Sequence, residues 1–100
     1  MSSYEIKEED LQLLANMILL IDNEEECKNF FKDLLSTAEL ESITQRVKIA
    51  HMLQNGKKYS EITEETKAST TTISRVNKVL SQDNNMFYYM LKKLKRKEQK

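Results

Sequence analysis

Between residues 69 and 78 the chain places Ser69, Thr70, Thr71, Ser74, Asn77 and Lys78 among apolar residues spaced for a helix. Short hydroxyl side chains near the start of a helix let it approach a surface closely. They can exchange hydrogen bonds with base edges or phosphate oxygens. The free N–H groups of a helix N-terminus also favour an anionic neighbour. Ile62, Ala68, Ile73 and Val76 are spaced to lock two short helices across a tight turn, leaving the polar positions outside. The pattern predicts a helix-turn-helix over residues 59–80. Taken from periodicity alone, the competing reading is an ordinary helical hairpin with a Ser/Thr-rich cap.

Other chemistry has little to build on. His51 lies among apolar residues on a helical pattern, with no second His and no nearby Cys to join it as a metal ligand. Cys27 is the single cysteine, so no internal disulfide forms and a reduced thiol is expected. There is no nucleophile-base pair and no Gly-rich phosphate loop, so the expectation is a non-enzyme without a metal. Phe87, Tyr88 and Tyr89 read as core or dimer packing residues, with base stacking as the alternative.

The charge is uneven. The net charge is zero, yet residues 1–41 carry three Lys against eleven Asp and Glu, and residues 42–100 carry thirteen Lys and Arg against five acids. A basic second half fits a polyanionic partner. With 39% hydrophobic and 32% charged residues, the sequence is too apolar for disorder and too polar for a membrane protein. The apolar stretch Leu11 to Ile21 is far short of the ~20 residues that span a bilayer. The acidic start lacks the marks of a signal peptide. A cytoplasmic, nucleoid-associated protein with no membrane partner is expected.

These residues must be carried by helices. One Gly and no Pro in 100 residues leave too few turn residues for a sheet protein. A first helix is expected from Tyr4 to Ile21. It is apolar on nearly every side, through Leu11, Leu13, Leu14, Met17, Ile18, Leu19, Leu20 and Ile21. Such a helix must be covered all round, which predicts a second chain. Asn23 caps a second helix to Leu35, presenting Phe30, Phe31, Leu34 and Leu35. Ser36-Thr37-Ala38-Glu39 is a capping box opening a long helix to Asn55, with Leu40, Ile43, Val47 and Ala50 at helical spacing and Leu53 close by. Gly56 ends that helix. Helices over Ser60–Thr66 and Thr70–Leu80 follow, then a polar connector over residues 81–85. A last helix from Met86 to Arg96 ends in a basic tail. The whole is one domain, residues 1–100, with a helical dimerisation core (1–56), the helix-turn-helix (59–80) and a C-terminal helix and tail (86–100).

The stretch from Leu34 to Leu80 resembles the Trp repressor superfamily, and within it the YerC/YecD-like branch. The resemblance is carried by Ser36-Thr37-Ala38-Glu39-Leu40-Glu41, Gln45-Arg46, Asn55-Gly56, Tyr59-Ser60-Glu61-Ile62, Ala68-Ser69-Thr70 and Thr72-Ile73-Ser74-Arg75. It implies an all-α, six-helix fold assembled as an intertwined homodimer. It also implies a transcriptional regulator, in character a repressor, binding a two-fold-symmetric double-stranded DNA operator. The two recognition helices would lie ~34–36 Å apart, a geometry for which the Trp repressor is itself a reference case. Positions matching the family's operator face are Ser60, Thr63, Thr70, Thr71, Thr72 and Ser74. With Lys67, Ser69 and Lys78 they make the expected DNA-binding set.

Two departures from the family pattern matter. The turn between the short helices usually holds Gly but here holds Lys67, which costs roughly 1–2 kcal/mol if the backbone is left-handed. In the family, tryptophan lies between two arginines, matched here by Arg46 and Arg75, with Ser36 near. The small residues that admit the indole are replaced by Val76 and Val79, which fill space and offer the amine no partner. No cofactor is therefore expected. L-tryptophan is the one corepressor the resemblance raises, and the valines disfavour it. The arginines are expected instead to brace the DNA-binding head through carboxylates or to bind phosphate. The alternative function is a helical interaction or adaptor module that touches DNA only weakly and without sequence preference.

Overall fold

A computed structural model describes residues 4–99. They form six helices and no strand: α1 (Glu8–Ile18), α2 (Glu24–Leu34), α3 (Thr37–Gln54), α4 (Tyr59–Thr66), α5 (Thr70–Leu80) and α6 (Met86–Glu98). The ends of the expected domain, Met1 to Ser3 and Lys100, lie outside the described residues.

Local chemistry sets most boundaries. The Asn23 side chain accepts from the Glu26 N–H at 2.9 Å, and three glutamates fill the first turn of α2. Ser36 and Glu39 form both halves of the capping box: Ser36 Oγ accepts from the Glu39 N–H (3.2 Å) and Glu39 Oε1 from the Ser36 N–H (2.9 Å). The backbone bond from Ser36, reinforced by its hydroxyl, holds the Glu39 carboxyl below its ordinary range. At the other end of α3 the Gly56 N–H donates to the Leu53 carbonyl and the Lys57 N–H to Met52, with Gly56 at φ 75°. This is a Schellman closure, and it needs the left-handed residue that Gly supplies without strain.

The first helix is shorter than expected. It begins at Glu8, not Tyr4, and ends at Ile18, not Ile21. No side chain caps it at Lys7, and the acids Glu8, Glu9 and Asp10 start it by suiting the helix dipole. At its far end Leu20 and Ile21 close back on Met17 and Ile18 through three-residue turns, freeing Asp22 and Asn23 to begin α2.

The chain divides into two compact units, Met1–Leu40 and Glu41–Lys100. The first contains no buried residue among those described. Leu13 is 64% exposed and Leu19 80%, while Phe30 and Phe31 meet edge to face at 5.5 Å. The second holds the whole core: Ile49, Ala50, Ile62, Ala68, Ile73, Val76 and Leu91. Met52, Leu53, Tyr59, Leu80 and Phe87 pack against it.

The apolar residues expected along α3 divide between two sides of the helix. Its buried side is Ile49 and Ala50 with Leu53 beside them, whereas Ile43 and Val47 are exposed in the single chain. The helix has two apolar stripes, and only the one facing α4, α5 and α6 is filled from within its own unit. His51 is half-buried and meets Glu98 through Nε2 at 3.3 Å. Tyr88 and Tyr89 are exposed, with the Lys92 and Lys93 ammonium groups over their rings at 5.5 and 5.6 Å.

Candidate nucleic-acid interface

The helix-turn-helix is built from its apolar lock outward. Ile62 on α4 and Ile73 and Val76 on α5 are buried, and Ala68 from the turn closes the gap between them. The small Ala68 side chain lets the two helices approach, and the paired isoleucines, each fully buried, fix their angle.

The turn is held by one residue that sequence reasoning passed over. Thr66 Oγ1 donates to the Ile62 carbonyl at 2.7 Å and accepts from the Ala68 N–H at 3.2 Å, stitching the end of α4 to the turn. Between them Lys67 takes φ 64°, ψ 11°, the left-handed conformation that the family's Gly would adopt freely. Replacing Lys67 by Gly is expected to stabilise the fold by about 0.5–1 kcal/mol, after Gly's extra unfolded-chain entropy is subtracted. Lys67→Ala should give no gain, because the strain comes from the Cβ. Thermal melts of both variants check this.

A second overlooked support comes from α3. Gln45 Nε2 donates to the Thr66 carbonyl at 3.0 Å, satisfying an open carbonyl at the end of α4. Lys48 pairs with Glu65 at 3.4 Å nearby. Partners 21 and 17 residues apart leave no local signal in the sequence. For Gln45 the only clue is its presence in the family pattern.

The start of α5 is fixed by Ser69, whose Oγ accepts from the Thr72 N–H at 3.2 Å and lies 3.1 Å from Thr72 Oγ1. This leaves the N–H groups of Thr70 and Thr71 without helical acceptors. Thr70, Thr71, Ser74 and Lys78 are all exposed on α5, as are Ser60 on α4 and Lys67 and Ser69 in the turn. Thr72 is half-buried beside its cap. Asn77 reaches the Tyr59 hydroxyl at 3.4 Å, tying α5 to the start of α4.

Thr63 departs from the expected set. Its hydroxyl is buried and has no hydrogen-bond partner, so it presents no polar group to solvent.

The expected effector residues are distributed as follows. Val76 is spent in the lock, and Val79 is exposed. Ser36 belongs to the first unit, where its hydroxyl serves the capping box. Arg46 and Arg75 are exposed, and neither forms an ion pair among the described residues. Among the described residues the expected brace through carboxylates is therefore not seen, and it is Lys48 rather than Arg46 that links α3 to a carboxylate of α4. Among the described residues no cluster of His, Cys, Asp or Glu could hold a metal, and no helix is long and apolar enough to cross a membrane.

Comparison with known proteins bears on this arrangement. The family model described as Trp repressor protein matches residues 9–95. The uncharacterised protein YerC of Bacillus subtilis (strain 168) is 40% identical over 93 residues, covering 93% of this chain and 89% of YerC. Among solved structures, a candidate Trp repressor from Staphylococcus aureus superposes with a TM-score of 0.80 at 37% identity, covering 89% of both chains. A TrpR-like protein from Eubacterium eligens ATCC 27750 gives 0.80 at 35% identity, covering 88% of this chain and 91% of its own. A family match reaching from α1 into α6, with solved relatives superposing at a TM-score of 0.80, settles the assignment: the chain belongs to the Trp repressor family.

Proposed function

We propose that this protein is a sequence-specific DNA-binding regulator, a repressor in character, that works as a homodimer on a two-fold-symmetric operator. The observation that carries the reading is the pairing of a buried lock with an exposed polar stripe on α5, in a second half that is strongly basic. Ser60, Lys67, Ser69, Thr70, Thr71, Thr72, Ser74 and Lys78 are the proposed DNA-facing residues. Thr63 contributes packing rather than a contact.

The dimer rests on unfilled apolar surface. Leu11, Leu13, Leu14, Met17 and Ile18 on α1 are exposed in the single chain, as are Ile43 and Val47 on α3. Large apolar side chains exposed in such number on one helix are seldom left uncovered, and a second copy is the cover that membership in a family of DNA-binding dimers supports. Leu14→Lys is expected to raise the dimer dissociation constant on the order of a hundredfold, since an unpaired ammonium would be buried at a cost of about 3 kcal/mol. Sedimentation at micromolar concentration reads this. An unchanged dimer would remove α1 from the interface.

No tryptophan corepressor forms part of the proposal. Val76 is committed to the lock, and Val79 offers an amine no hydrogen bond. The proposal is tested by selecting bound sequences from random double-stranded DNA. Enrichment of one two-fold-symmetric site is expected. Recovery of unselected sequence would leave the adaptor reading, in which the exposed apolar helices hold a partner protein.

A further inference from the structure

In the second unit the end of α3, the second half of α5 and the middle of α6 converge on a cleft of about 480 Å³. Ser36, Arg46, Arg75, Val76 and Val79 do not line it, so it is not the place matched to the family's tryptophan site. Leu53, Leu80 and Leu91 make its apolar lining, and Leu91 is buried. The polar lining differs from one side to the other. Gln54 and Leu80 are the last residues of α3 and α5, and the final carbonyls of a helix carry partial negative charge. The Gln54 side-chain oxygen is buried without a hydrogen-bond partner, an acceptor whose desolvation nothing offsets. On the α6 side stand Lys92 and Lys95, exposed and in no ion pair among the described residues. Tyr88, also in the lining, holds the Lys92 ammonium over its ring at 5.5 Å.

We propose that this cleft binds a small organic acid with a ring-sized apolar body, its carboxylate on Lys92 and Lys95 and an O–H or N–H donor on Gln54. The volume lies in the range of small-molecule sites, and the three leucines cover the body. Two ammonium groups give the carboxylate charge-assisted hydrogen bonds. A donor at the other end draws the Gln54 amide toward the ligand and pairs the oxygen that is otherwise left alone. An apolar ligand would leave both polar sides unused, and a cation would meet two like charges. Held there, the acid bridges α5 to α3 and α6. The site stands whether or not α5 enters DNA.

The test titrates the full-length protein with para-hydroxyphenylacetate, read by calorimetry and by backbone NMR shifts. A Kd on the order of a millimolar or tighter is expected for a ligand this small. The largest shifts should fall on Leu53, Gln54, Leu80 and Leu91. Tyramine keeps the ring and hydroxyl but exchanges the acid for an amine, and should not bind. The methyl ether, para-methoxyphenylacetate, lacks the donor and should bind several-fold more weakly, a difference that Gln54→Leu should erase. Lys92→Gln combined with Lys95→Gln changes only exposed side chains, so the fold is kept, and should weaken para-hydroxyphenylacetate about tenfold. No binding at millimolar concentration, shifts centred elsewhere, or an affinity indifferent to the lysine substitutions would overturn the proposal. Equal affinity for the methyl ether would overturn the part given to Gln54.

Discussion

Thr71→Glu is expected to weaken DNA binding roughly 30- to 150-fold, or about 2–3 kcal/mol, while leaving the melting temperature nearly unchanged. Thr71 is the second residue of α5 and is exposed, so its replacement removes nothing from the lock. A carboxylate in the first turn suits the helix dipole and slightly favours the free protein. In the complex that charge would be pressed against phosphates and base-edge acceptors, with no cation on α5 nearer than Arg75 to offset it. Fold and binding should therefore separate. Equal affinity of wild type and variant, in a fluorescence-anisotropy titration, would remove the N-terminal turn of α5 from the interface.

The second large effect is on stability. Ile73 is fully buried at the centre of the lock between α4 and α5. Ile73→Ala removes three carbons where the backbone of two short helices has little freedom to collapse, and is expected to cost about 2–5 kcal/mol. Single domains have about 5–15 kcal/mol in total, so this is a large share. Because the lock sets the angle of α5, binding should fall with stability. Chemical denaturation gives the loss directly. A cost below about 1 kcal/mol would mean that the cavity collapses and that Ile73 does not fix the helix pair.

What the residues revealed on their own follows from how local the causes are. The caps at Asn23, Ser36 and Ser69 and the stop at Gly56 act within four residues, and all four were legible. So was the lock, because Ile62, Ala68, Ile73 and Val76 can hardly serve another purpose in two helices this short. The left-handed Lys67 was legible as a conditional strain, and the structure resolves the condition. The ends of α1 were not, since apolar residues run past Ile18 and nothing in sequence distinguishes a helical Leu19 from one in a turn. The filled side of α3 was hidden by its two apolar stripes, which compete on equal terms in a periodicity argument. The burial of the Thr63 hydroxyl was not legible, because a threonine can turn either its methyl or its hydroxyl inward. Gln45 and Thr66 act across the fold, and only coordinates bring them together.

If α5 and its flanking cations meet a nucleic acid, binding must depend on salt. The most direct measurement is the affinity of the wild-type protein for double-stranded DNA as the salt concentration is varied. Each phosphate neutralised by Lys or Arg releases condensed counterions, so the logarithm of the binding constant should fall linearly with the logarithm of salt, by about 0.9 per contact. Tight binding at low salt with a steep, linear loss is expected. No binding at low ionic strength, or an affinity indifferent to salt, would contradict it.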